Sequence, residues 1–129
     1  MNFAEVVTAE NILLTTFTKD GRPKPTPVWA AYDGDRLLIV TDEASWKAKR
    51  IRNTARVTVA ACDLRGNPKS DAVEAVATIL DKSDAVRIAR AVNARQGLMG
   101  LMFTMYSRLR GVADKYVPIE IKASVPAQQ

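Results

Sequence analysis

Apolar positions along this chain fall into short runs set apart by turns rich in Gly, Pro, Asp and Asn. Asn11–Thr18 is dense in β-branched and apolar residues and predicts a strand. Lys19-Asp20-Gly21-Arg22 predicts a hairpin turn with Gly21 at positive φ. Pro23, Pro25 and Pro27 then alternate, so one side of an extended segment lacks N–H donors and must lie at a sheet edge or rim. Val28 to Tyr32 is read as a continuation of that strand. Asp33-Gly34-Asp35 is a second tight turn, and Arg36–Thr41 a third strand. Arg56–Cys62, Ala72–Leu80 and Tyr116–Ile121 complete six strands, with a turn over Leu64–Pro68.

Helical periodicity fills the gaps. Residues 3 to 10 predict a short first helix. Ala44, Ala48, Ile51 and Ala55 fall on one small-residue stripe, which predicts a helix lying close on a sheet. Ser83 is a candidate N-cap for a helix over Asp84–Gln96 with Ala85, Ile88, Ala89 and Val92 inward, ended by Gly97. Leu98–Leu109 predicts a further helix carrying Met99, Met102, Phe103, Met105 and Tyr106 around most of its circumference, more apolar surface than ordinary core packing uses. A subunit interface or a cofactor wall would cover it. Pro126–Gln129 reads as a frayed tail. Six hairpin-linked strands with helical insertions predict a mainly β fold with helices (α+β), a small antiparallel barrel.

Composition then narrows the chemistry. The 129 residues predict one domain, residues 1–129. No apolar run is long enough to span a membrane, and Met1–Glu5 has no secretory-signal pattern. The single Cys62 predicts a buried residue near a strand end in a reducing, cytoplasmic setting. There is no histidine, which removes Ser-His-Asp triads and most zinc sites. Asp33, Asp35, Asp42, Glu43 and Asp63 sit where turns and caps need them, and neither a metal site nor a catalytic side chain is predicted. Reactive atoms would belong to a bound cofactor.

The formal charge of +5 is unevenly spread: residues 44 to 62 hold Lys47, Lys49, Arg50, Arg52 and Arg56 and no acid. A strand running into an acidic turn and a basic helix start presents N–H groups and cations to a phosphate. Lys47 lies on the edge of the small-residue stripe and is the cation placed to reach a ligand between helix and sheet. Lys49 points away and is expected to be solvated. Low aromatic content argues against a nucleic-acid surface, so a compact phosphate ligand is preferred to a polymer.

The order strand, Lys19-Asp20-Gly21-Arg22-Pro23, strand, Asp33-Gly34-Asp35, strand ending in Thr41, Ser45-Trp46-Lys47, Arg56-Val57 resembles the split β-barrel flavin and deazaflavin oxidoreductases, the superfamily of pyridoxamine 5′-phosphate oxidase. Members hold a cofactor phosphate with a hydroxyl and a Lys where this chain has Ser45 and Lys47. Those oxidases carry basic residues on the strand matching Thr26–Ala31, which is uncharged here, and their Arg-rich C-terminal motif is missing. The Pro-Thr-Pro-Val-Trp run looks more like the actinobacterial branch that uses the deazaflavin coenzyme F-420. The resemblance implies a six-stranded split barrel, a homodimer with two sites at its interface, and hydride transfer between F-420 and a small organic substrate. FMN dependence and a non-catalytic deazaflavin carrier are the alternatives. Carried over by position, Ser45 and Lys47 hold the phosphate and Arg50 reaches the acidic tail. Thr41 lies near the ribityl chain, and Thr26, Val28 and Trp29 border the ring, although Trp29 also fits a core position.

Overall fold

Alternation along the first strand becomes a ladder. In a computed structural model that describes residues 3–9, 11–95, 102 and 115–124, β1 (Ile12–Phe17) buries Ile12, Leu14 and Thr16 on one face. β2 (Pro23–Val28) pairs with it antiparallel, Pro27 opposite Leu13 and Pro23 opposite Phe17. The turn between them places Gly21 at φ 86°. As the prolines demand, β2 is the last strand of its sheet.

β3 (Ala31–Asp33), β4 (Arg36–Asp42), β5 (Arg56–Ala61), β6 (Val73–Ile79) and β7 (Tyr116–Ala123) complete one antiparallel sheet in the order β2-β1-β5-β6-β7-β4-β3. The expected continuous strand through Val28–Tyr32 is corrected here. It breaks at Trp29-Ala30, and its second half pairs with β4 at the opposite edge, Ala31 against Leu38, which makes seven strands instead of six. That break dictates the shape. Two opposite edges joined by three peptide steps lie within about 11 Å of one another, whereas seven flat strands would span about 29 Å. The sheet therefore curls into a split barrel, with its seam at Trp29.

Ile39, Val57, Val59, Ala75, Ile119 and Ile121 fill the inside of the curl, joined by Phe3, Val6 and Val7 from α1 (Phe3–Val6) and the residue after it. A second cluster lies on the outer face, where Ile88 and Val92 of α3 (Ala85–Ala94) pack on Ala31 and Leu38, with Trp29, Val40 and Leu80 at its rim. β4 is thus apolar on both faces. The start of α3 differs from expectation. Asp81, not Ser83, caps a 3-10 turn over Lys82–Asp84 by accepting from the Ser83 N–H, and α3 follows. Ala85, Ile88 and Val92 point inward as expected, with Asn93 buried beside them and Ala89 only half-buried.

Pro118 is fully buried in a central strand, a position prolines usually avoid. Its carbonyl accepts from the Leu80 N–H at 2.9 Å, one residue past the end of β6. Both main-chain groups of a strand residue face the same neighbour. The donor it lacks therefore points to where β6 has already ended. The expected helix over 98–109, with Met102 exposed and helical, and the tail over 126–129 lie otherwise outside the described residues.

Candidate functional site

The basic helix is built as its sequence requires. Asp42 closes the turn by accepting from the Ala44 N–H at 2.8 Å, and α2 (Trp46–Asn53) starts at an N-cap Ser45. The Ser45 Oγ accepts from the Ala48 N–H at 3.2 Å and from the Thr41 hydroxyl at 3.2 Å. Its own proton remains to donate outward. Ala48 and Ile51 are buried against the sheet, while Ala44 and Ala55 of the expected stripe lie outside the helix and exposed.

Lys47 projects from the flank of α2 into a cleft of about 350 Å³. The remaining walls are Asn11, Pro27, Val28, Trp29, Val40, Thr41, Leu64, Val92 and Asn93. These come from both edges of the split sheet, from α3 and from the β5–β6 turn, so the cleft opens at the seam. Among the described residues Lys47 is its one cation, and no carboxylate pairs with it. Burial pushes its ammonium pKa below the ordinary lysine value, and the nearby Arg50 charge lowers it further. A half-buried cation without a counter-ion is poised to take up an anion.

A second hollow of about 330 Å³ lies on the adjacent face of α2, lined by Thr18, Lys19, Arg22, Lys24, Trp46, Lys49, Arg50 and Asn53. Trp46 is 68% exposed, and its ring has the Lys49 Nζ 4.7 Å and the Arg50 guanidinium 5.8 Å from its centre. Lys24, Thr26 and Val28 share one face of β2 and are half-buried. They run about 13 Å from the basic hollow, which Lys24 lines, to the cleft, which Val28 lines.

Of the residues singled out from sequence, Val28, Trp29, Thr41 and Lys47 meet in the cleft. Ser45 sits at its edge through Thr41. Arg50 faces the second hollow, and Thr26 lies between the two on β2. Trp29 is both a cleft wall and a rim residue of the outer core. Lys49 is exposed as expected but lies on Trp46 instead of extending freely. Sequence reasoning missed Pro27 and Val40, which neighbour predicted residues, and Asn11, Leu64, Val92 and Asn93, which reach the cleft only through the curl and the packing of α3. A cation at spacing four from Trp46 (Arg50) was a legible signal for the second hollow. The hairpin cations Lys19, Arg22 and Lys24 were not.

The family model described as pyridoxamine 5′-phosphate oxidase matches residues 2–123. The chain belongs to that family. The family unites flavin- and deazaflavin-binding split barrels. Among solved structures, a conserved hypothetical protein of Mycobacterium tuberculosis is 23% identical with a TM-score of 0.67, over 96% of this chain and 81% of that one. An F420 reductase is 17% identical with a TM-score of 0.59, over 93% and 91%. An FAD-binding protein of Mesorhizobium loti is 16% identical with a TM-score of 0.58, over 95% and 87%. These likenesses are of fold. No curated protein sequence matches the chain. Among the described residues no helix is long and apolar enough to cross a membrane, and no cluster of His, Cys, Asp or Glu suits a metal ion.

Proposed function

We propose that the protein is an F-420-dependent oxidoreductase acting on a small organic substrate. The observation that carries this reading is Lys47, which among the described residues has no counter-ion and is the one charge in the wall of the cleft, with a separate basic hollow beyond it. The residues suit the coenzyme. Val28 and Trp29, with Val40 and Val92, would border the ring. Thr41 would meet the ribityl chain. Lys47, with the Ser45 hydroxyl, would hold the phosphate through charge-assisted hydrogen bonds, and Arg50 with Lys24 and Lys49 would meet the acidic tail.

The choice over FMN rests on length. FMN ends at its phosphate and would leave the basic hollow lined by Lys19, Lys24, Lys49 and Arg50 without a ligand. A cofactor with carboxylates beyond the phosphate uses them. When bound, the deazaflavin supplies hydride chemistry. The chain's own contribution is to bind it, orient it and keep water from the apolar side of the cleft. Among the described residues no Asp, Glu or His lines that cleft, and hydride transfer demands no side-chain base. Fluorescence titration with F-420 and, separately, FMN is the direct test. F-420 should bind more tightly at equal salt; tighter FMN binding would move the assignment to a flavin enzyme. Steady-state turnover with reduced F-420 and an acceptor separates an enzyme from a carrier.

The active species is proposed to be a homodimer with both sites at the interface, as the resemblance implies. Sedimentation at micromolar concentration should show a dimer, and cofactor affinity should fall on dilution as the dimer dissociates. A monomer that binds F-420 at full strength would remove the shared site.

A further inference from the structure

We propose that Leu64 is a ligand-contact residue, an apolar cap on the ring-binding end of the cleft, presented by a rigid arm formed by the β5–β6 turn. Leu64 is 79% exposed although it lines the cleft. A single exposed leucine says little by itself. What surrounds this one is unusual: polar side chains build a fixed frame for it.

Asp63 organises the arm. Its Oδ1 accepts from the Arg65 and Asn67 N–H groups, both at 2.9 Å, and its Oδ2 accepts from the Asn67 side-chain amide at 3.0 Å. Across the turn, the Asp63 N–H donates to the Asn67 carbonyl and the Gly66 N–H to the Asp63 carbonyl, each at 3.0 Å. These bonds hold the Asp63 carboxyl below the usual carboxylate range, so the frame persists through neutral pH. Gly66 sits at φ 88°, where a Cβ would lie 3.4 Å from the Pro27 ring. The arm therefore rests on a residue that itself lines the cleft. Its base is tied as well, since the Cys62 N–H donates to the carbonyl of Asn11, another wall residue. The outcome is a leucine held over a cleft edge with nothing in the described chain to bury it, in a turn where polar residues are the rule.

This inference rests on the cofactor reading, because it assigns Leu64 to the planar ring and leaves the phosphate to Lys47. Burying part of a leucine side chain against a ring slows escape more than entry. Leu64→Ala should raise the dissociation rate of F-420, read by stopped-flow fluorescence, about tenfold, with the association rate and melting temperature unchanged. Leu64→Met, which restores an apolar side chain of similar size, should return the rate to near the parent value. An unchanged dissociation rate in Leu64→Ala, or equal losses in the alanine and methionine variants, would overturn the assignment while leaving the cofactor reading intact. Failure of the parent protein to bind either F-420 or FMN would overturn both.

Discussion

Replacing Lys47 by alanine is expected to weaken F-420 binding about tenfold to a hundredfold, the worth of one charge-assisted contact to a phosphate. The effect should be local. Lys47 is half-buried in the cleft, whereas Lys49 is exposed and lies over Trp46 in the second hollow. Lys49→Ala should therefore cost much less. Equal losses from the two would mean a diffuse charge effect. The pH dependence gives a second signature. Burial and Arg50 lower the Lys47 pKa. The anion binds the protonated form, so affinity stays level below that pKa and falls as pH rises through it. The fall should begin at a lower pH than an ordinary lysine would give. Lys47→Arg keeps its proton across this range, so affinity in that variant should not show the alkaline fall. Isothermal titration at several pH values reads both effects.

Replacing Arg95 by alanine is expected to destabilise the fold by about 2 kcal/mol and to loosen the cleft wall with it. Arg95, at the end of α3, donates to the Ala30 carbonyl at 2.9 Å and to the Thr8 and Ala9 carbonyls at 2.9 and 3.1 Å. Its guanidinium also lies 5.0 Å from the centre of the Tyr32 ring. These contacts pin α3 and the segment after α1 to the short crossing that joins the two sheet edges. Ala30 follows Trp29, which lines the cleft, so the same substitution should also reduce F-420 affinity. Arg95→Lys, with a point charge instead of a fork of donors, should recover only part of the stability. A melting temperature indistinguishable from the parent would show that the crossing is held by packing alone.

Much of the site was legible because it is local. Thr41, Ser45 and Lys47 lie within seven residues on a strand, a turn and a helix start. The acidic turn, the helix start and the small-residue stripe are all read from that stretch, and residues 44 to 62 hold no acid. The Lys47 flank was readable from helical geometry for the same reason. The alternating prolines identified a sheet edge because a missing N–H cannot be supplied by context. Asn11, Leu64, Val92 and Asn93 were not legible as neighbours, since nothing in their own segments refers to one another.

The sequence by itself determined six of the seven strands, the Gly21 and Gly34 turns, the buried Cys62 and the position of the basic helix. Each follows from period, chirality or capping over a few residues. Only the tertiary structure decided that Val28–Tyr32 splits between two edges, because an apolar run fits either continuation and the pairing of Ala31 with Leu38 depends on β4. That choice curls the sheet, opens the cleft at Trp29 and brings α3 and the β5–β6 arm to its rim. It depends on which distant surfaces can be buried together, a property of the whole chain that no local window contains.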